Sequence, residues 1–537
     1  DGSITSPNKQ DWGKIQFRDG SSGSVSHATV RFGGSSNAAL IAATSASPAL
    51  HDLILSDAPY GLEQAGTASS VINNVNIANT TYTPVRYSIS ADPTDTNITF
   101  TNVGLRAIGI IPETVGVDSV LRIRSMGGFD GISYYLAGRV IVAEGAHFRI
   151  EPGVVTKVST GGYGYDLIIQ GSLQSVGTPD SLIVFTGIYD DSRGNPGDTA
   201  DDGANSPAAS QWGHIKFEPT SIDEDCRLEL CEFAYGGYGY GSEAPAVVWC
   251  NSAAATIINN NFETNNIGVW TDGNSNPLIQ DNTFFNQTSV CLATSVLANP
   301  QYVGNSFNQN GIHAVGLINE TLSADATLET ISMAGLDPYP YYNLGTTNVG
   351  PGTTLTINPG VLIKARDNSD IINVNGTLIA VGTSENNIVM TGIKDDSNGG
   401  DSNVDGSSSS PAAGNWRGIN FSESTNDADT QVAFCLLRFW GNDFRLDIDS
   451  CSPSILSNEF DLCTYGIRMS NDSSPNIFNN HFQVLTWFPI QKSILSTPNF
   501  LANTLSNVNY PAIAITCESI GQDMTCLLYT SPSPRDC

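Results

Sequence analysis

Oxygen-bearing side chains crowd one stretch of this chain: Asp395, Asp396, Asp401, Asn403 and Asp405, followed by Gly406. The core Asp-x-Asn-x-Asp-Gly sets oxygen ligands at alternate positions with glycine at the sharp turn, as a hard cation such as calcium requires. Ala412 stands where an EF-hand would place its closing glutamate. Asp395 and Asp396 are the candidates to replace it from the end of the preceding strand. A second loop keeps Asp190, Asp191, Asp198, Asp201 and Asp202, but Ala200 replaces the middle ligand, so a weaker site is expected there. The alternative is a solvated acidic loop without an ion. In either case the expected role is structural, pinning a long insertion in place.

Aromatic residues are the next candidates. Trp12, Trp212 and Trp416 recur at the ends of equivalent segments, each followed by Ile and Phe at alternate positions. A tryptophan at the end of a loop in every copy reads as the anchor of that loop rather than as a sugar-stacking platform. Tyr163 and Tyr165, and Tyr235, Tyr238 and Tyr240, lie in Gly-rich stretches without a counterpart in the last copy. They are candidates for a ligand-binding surface, with exposed turns as the alternative.

No catalytic set stands out. Lys157 and Lys364 follow Pro-Gly at matching places in two copies, which reads as structure rather than as a base needed twice. Arg122, Arg124, Arg139 and Arg366 have no acidic cluster near them in the sequence. A glycosidase needs two or three carboxylates gathered at the scissile bond. Asp201, Asp202 and His214 superficially suit that role, but their spacing is short and both acids belong to the second acidic loop.

These residues must be positioned by a repeat. The segment from Gly376 to Gly441 restates that from Gly171 to Gly237, and Asp1–Phe17 with His27–Gly34 is the tail of a third copy. A shorter period of about 22 residues runs inside the long one. Asn260 and Phe262 are followed by Asn282 and Phe284, then by Asn305 and Phe307; Asn458 and Phe460 lead to Asn480 and Phe482, then to Asn503 and Leu505. Strand-length β-branched runs lie between these beats, bounded by Gly, Asn, Asp and Pro. The pattern predicts an all-β right-handed parallel β-helix, with ladders of inward apolar residues and asparagines at the bends. Module heads align between 125–158 and 332–365, giving modules of about 205 residues. The division is a partial module over 1–125, a second over 126–332, a third over 333–525, and a tail over 526–537. That tail, from Cys526, reads as a translated sequencing adapter and is set aside.

Lys plus Arg number 23 against 53 Asp plus Glu, a formal charge of -30. Such a balance argues against nucleic acid as a partner, which needs a basic face. No apolar run is long enough to span a bilayer. The cysteines show no shared spacing that fixes a disulfide pairing, and no CxxC or Cys/His cluster suggests zinc.

Taken together, Gly-x-x-Leu-x-Ile-x-Pro-Gly-Val-x-x-Lys, Gly-Thr-Leu-x-Ala-Val-Gly-Thr, the acidic loop, Pro-Ala-x-x-x-Trp-x-Gly-Ile and the Asn-x-Phe coils resemble the parallel β-helix repeat proteins of bacterial surfaces. These proteins share a fold with pectate lyases. The resemblance covers nearly the whole chain apart from its tail and implies export to the cell surface and contact with polysaccharide or a cell-surface glycan. No lyase or hydrolase residue carries over. The expectation is an extracellular, monomeric, non-catalytic protein for adhesion or carbohydrate binding, steadied by calcium. The alternatives are a polysaccharide lyase or glycoside hydrolase, and a structural spacer.

Overall fold

The computed structural model describes residues 6–159, 166–441 and 446–516. Their regular structure is short β-strand with two 3-10 turns, Ser35–Asn37 and Asp223–Asp225. Consecutive coils pair in parallel, residue above residue: Phe262 lies beside Phe284 and Phe284 beside Phe307, and in the last module Phe460 lies beside Phe482. The parallel β-helix expected from the 22-residue period is what forms.

The chain divides into two compact units, Asp1–Ala293 with Ala298–Ile312, and Thr294–Leu297 with His313–Cys537. In the first, a twelve-stranded sheet runs from Ile15–Phe17 to Ser306–Asn308 and a seven-stranded sheet from Ser119–Leu121 to Gln301–Val303. A third sheet face begins at Thr114–Val115. The opening coils instead carry a four-stranded sheet of longer strands, Ser24–Arg31, Ala49–Ala58, Val71–Thr80 and Thr94–Thr101. The second unit repeats the three-sheet plan, with an eight-stranded sheet from Glu320–Thr321 to Ile513–Ile515 and a seven-stranded one from Ala326–Leu328 to Asn499–Leu501.

Because side chains alternate between faces of a strand and each coil sits in register on the last, equivalent residues stack. Phe185, Phe233, Phe262, Phe284 and Phe307 form one column with centroids 4.7–5.4 Å apart. Trp416, Trp440, Phe460 and Phe482 form another in the second unit, at 4.6–5.5 Å. The phenylalanine pairs are stacked and the two tryptophan contacts tilted, and such ring pairs add to what burial alone contributes.

A second column is polar and just as buried. The Asn260 amide donates to the Leu228 carbonyl (2.9 Å), and the Asn282 side-chain oxygen accepts from the Asn260 backbone N–H (2.9 Å). Asn282 repeats the pattern, donating to Ile257 (2.8 Å) and lying under Asn305 (3.0 Å). Asn458, Asn480 and Asn503 build the same ladder in the second unit. Each side chain satisfies a donor and an acceptor at a corner where the backbone ladder is interrupted. These asparagines are not the left-handed residues of the bends: that conformation falls on the residue before, at Asn259, Asp281, Gly304 and Asn479. The bend is made by one residue and the ladder hydrogen bonds by the next.

All seven described cysteines are free and buried. Cys231 and Cys435 occupy the ladder position one coil before Asn260 and Asn458, and their backbone N–H groups donate to those asparagines at 2.9 Å. Their thiols point to carbonyls of the preceding coil, Ser175 and Ala380. Burial pushes each thiol up to about 12.

Asn282→Ala orphans the Asn260 N–H and the Ile257 carbonyl inside the wall. A loss on the order of 2 kcal/mol or more is expected in urea unfolding. Asn274→Ala on the exposed surface should stay within about 0.5 kcal/mol of wild type. Equal effects would show that the ladder adds nothing beyond the sheets.

Candidate functional site

The two acidic loops are rooted by the same device. At the root of the second-module loop the Asp190 carboxylate accepts from Thr186 (2.6 Å), Ser192 (2.6 Å) and Arg193 (3.0 Å). In the third module Asp395 accepts from Thr391 (2.7 Å), Ser397 (2.5 Å), Asn398 (2.9 Å) and Arg438 (3.2 Å). Burial pushes both carboxyls up, but these donors and the guanidinium outweigh it and hold both below the ordinary carboxylate value. The arginine comes from a different part of the chain in each module. Arg193 belongs to the loop and also pairs with Glu232 (2.5 Å) and Glu263; Arg438 comes from the strand Cys435–Arg438 and also pairs with Asp461 (3.0 Å).

Beneath each root lies a buried lysine. Lys157 Nζ donates to the backbone carbonyls of Asp190 (2.7 Å) and Gly197, and Lys364 Nζ to those of Asp395 (3.0 Å) and Gly400 (2.5 Å). The repeated Lys is thus the peg of the repeated loop, consistent with a structural rather than catalytic reading.

The loop tips differ. Asp198 accepts from the N–H groups of Asp202 (3.3 Å) and Gly203 (3.1 Å), Asp191 from that of Asn205 (2.8 Å), and Asp202 from the Asn205 amide (2.8 Å). Arg106 enters this tip from an earlier coil, pairing with Asp201 at 2.9 Å and donating to the Asp198 carbonyl at 2.5 Å. His313 takes the equivalent place in the third module, its N–H bonded to the Ser402 carbonyl (2.8 Å) as that of Arg106 is to Thr199 (2.8 Å). There Asp401 accepts from the N–H groups of Asp405 (3.3 Å) and Gly406 (2.8 Å). Asp405 accepts from Asn403 (2.8 Å) and Ser409 (2.5 Å) through one oxygen. Four atoms in this neighbourhood are buried without a hydrogen-bond partner: Ser402 Oγ, Asn403 Oδ1, Asp405 Oδ1 and His313 Nε2. Partial desolvation and the Asp401 and Asp405 charges lift Asp396 above the ordinary value. No three carboxylates of either loop converge to within 4.8 Å.

The tryptophans bond as anchors. Their indole N–H groups donate to the carbonyls of Arg31 (2.7 Å), Ala234 (2.7 Å) and Arg438 (2.8 Å). Trp212 and Trp416 are buried, while Trp12 is 37% exposed. Of the tyrosine candidates, Tyr163 and Tyr165 lie outside the described residues. The Tyr235 ring packs beside Arg193 at 5.7 Å, and Tyr238 is half-buried. Tyr240 is exposed.

Asp201, Asp202 and His214 do not come together as a catalytic set. Asp201 pairs with Arg106, whereas His214 is buried near Glu243 (3.4 Å) and Asp166 (3.9 Å). Three arginines without neighbours in the sequence find partners on adjacent coils: Arg122 with Asp92 (3.1 Å) and Glu151 (3.2 Å), Arg124 with Asp95 (2.7 Å), and Arg139 with Asp166 (2.9 Å). The hydrogen bond that Arg122 donates to Asp92 raises the guanidinium above its ordinary value, the opposite of what a general base needs.

Two surface features had no signal in the sequence. One is a cleft of about 270 Å³ with Tyr60, Tyr82, Arg86 and Tyr135 on its walls. The other is a shallow groove that occurs once in each unit. In the first unit it has a volume of about 330 Å³, and Val120 and Phe148 line it together with Asp118, His147, Ser172 and Asp225. In the second it measures about 420 Å³ and is lined by Thr354, Thr377, Ile379, Asn426, Asp429 and Gln431. His147 and Thr354, Ser172 and Thr377, and Asp225 and Asp429 are equivalent positions of the long repeat. Their spread over separate strands hides them from any linear motif.

Residues 215–331 match the family model described as right handed beta helix region. That stretch contains the asparagine ladder, the phenylalanine column and parallel coils in register. The chain folds as a right-handed parallel β-helix of stacked repeats. Neither the curated proteins nor the solved structures contain a match to this chain. Among the described residues of this β-helix no helix is long and apolar enough to cross a membrane.

Burial pulls Lys364 down to about 8, with Asp395, Asp396 and Asp401 opposing the shift. A ¹³C titration of the lysine side chains should show a resonance moving near that pH, absent in Lys364→Met. Titration with the exposed lysines near 10.4 would refute the buried peg. Between about 8 and 10.4 the unfolded chain binds the extra proton, so this group's contribution to stability increases as pH rises through that window.

Proposed function

We propose that this β-helix is an extracellular surface protein that binds carbohydrate without reacting with it, for adhesion to a polysaccharide or cell-surface glycan. The observation carrying this reading is the groove repeated at equivalent residues of two modules, with polar side chains in both copies. A ligand with a repeating chemical unit gives both copies a use, whereas a reaction needs only one centre. The grooves offer hydroxyl, amide and carboxylate groups suited to sugar hydroxyls, and their volumes suit short stretches of glycan.

Calcium belongs to the same proposal. The unpartnered oxygens of Asn403, Asp405 and Ser402 fit a hard cation beside Asp401 and Asp396, while Asp395 and Asp190 serve the loop roots. Arg106 supplies a positive charge to the second-module loop that the third-module loop lacks, so the weaker calcium response belongs to Asp191, Asp198 and Asp202. The ion would hold the insertion and supply no chemistry to a substrate.

A lyase reading draws on one observation, the Arg and Asp pairs on adjacent coils around Arg122 and Arg124. Their mutual neutralisation weighs against it.

Retention on acidic and neutral polysaccharides, measured together with release of unsaturated or reducing-end products, tests the reading. Retention without product is expected. Asp429→Ala with Gln431→Ala should weaken retention about fivefold, the loss of roughly one net hydrogen bond, without a change in melting. Product formation, or no retention on any glycan, overturns the binding role. Separately, calcium should raise the melting temperature of wild type, and Asp401→Asn with Asp405→Asn should abolish most of that rise. Melting indifferent to calcium and to its chelation overturns the ion.

A further inference from the structure

The opening coils turn corners with single left-handed residues inside continuous strands. Ser24–Arg31 pairs in parallel with Ala49–Ala58, with Ser26 beside His51 and Ala28 beside Leu53. His27 therefore lies over Asp52, and both are left-handed, at φ 52° and 56°. This register brings two imidazoles to one carboxylate oxygen: Asp52 Oδ2 is 3.5 Å from His27 Nε2 and 3.0 Å from His51 Nδ1. The rings stand edge to face, 87° apart, with centroids separated by 5.7 Å.

The other carboxylate oxygen is tied back. Asp52 Oδ1 accepts from the Asn74 amide at 2.6 Å, and Asn74 in turn accepts from Asn97 at 2.9 Å. This amide column fixes the carboxylate plane and leaves Oδ2 facing the imidazoles. The Asn74 hydrogen bond, followed by that of His51, holds the Asp52 carboxyl below its ordinary value, so an anion is presented at neutral pH. The three ligand atoms lie within 4.8 Å of one another, and no other group of three His, Cys, Asp or Glu does so among the described residues.

We propose that His27, His51 and Asp52 form a surface site for a borderline divalent metal ion such as zinc or nickel(II). Two imidazole nitrogens and one carboxylate suit such ions, whereas calcium and magnesium favour all-oxygen shells. Metal–ligand bonds of 2.0–2.1 Å in a tetrahedron put neighbouring ligands about 3.3 Å apart. The two distances to Asp52 already bracket that value. Closure requires the imidazoles to approach each other, and His27, with its side chain 77% exposed, is free to rotate. The coordination positions beyond these three ligands face solvent and remain open to water or an external ligand. The site is independent of the acidic loops and of the glycan reading.

Equilibrium dialysis of the full chain against zinc, with excess calcium present to fill the acidic loops, tests the site. One equivalent of zinc is expected, with affinity falling at least about tenfold in His27→Ala and in His51→Ala. Cobalt(II) should give the intense visible bands of four-coordinate geometry in wild type and lose them in either variant. Both histidines are at the surface, so the variants should melt as wild type does in the presence of chelator. Zinc uptake unchanged in both variants places the metal elsewhere and overturns the proposal, as does the absence of uptake by wild type.

Discussion

Parallel hydrogen bonding between coils, in register but for one shift between Asp370 and Ile372, is the constraint from which the rest follows. Each strand finds its partners in the coils before and after it, one strand spacing of about 4.8 Å away. A side chain is thereby forced into contact with its own equivalent one turn away. Apolar positions become columns such as Phe233, Phe262 and Phe284. Polar positions inside the wall become columns too, and only a side chain able both to donate and to accept can extend one. Asparagine meets that condition along Asn260, Asn282 and Asn305. Cysteine, with one weak donor, can stand at the start of a column, as Cys231 and Cys435 do.

The same constraint explains the treatment of charge. A carboxylate or ammonium inside a stacked wall has no water to turn to, so it must be met by the loop or strand above it. The buried lysines meet loop carbonyls, and the aspartates above them meet hydroxyls and a guanidinium. Long insertions are tolerated because their roots, rather than their tips, are fixed. The tips then vary in charge, with Arg106 in one and His313 beside the other.

The fold was legible because stacking writes itself into the sequence as a period. Asn260 and Phe262 repeat at the next coil for the same physical reason that they touch there. What crosses coils without repeating was not legible. Arg122 reaches Asp92, and Arg106 reaches a loop 92 residues further on, by paths that depend on the exact length of the intervening turns. The grooves combine polar residues such as His147 and Asp225 that look unremarkable singly. Likewise His27 and Asp52 meet only because two corners fall in register. In the acidic loops the residue types were readable, but not which aspartates were already taken: Asp190 and Asp395 look like ligands in the sequence and are filled by protein donors in the fold.

The position of the root arginine bears on how such a chain can be rearranged. In one module it travels with the insertion, as Arg193; in the other it stays with the scaffold, as Arg438. Grafting the second-module loop onto the third-module coils would set two guanidinium groups against one aspartate. The reverse graft would leave the aspartate with none, since Asn398 and Ala234 stand at the vacant positions. Recombination between modules is therefore harmless when it moves a whole unit of loop plus strand and damaging when a crossover falls between them. That asymmetry makes residues 193–234 and 398–438 the segments that have to be exchanged whole.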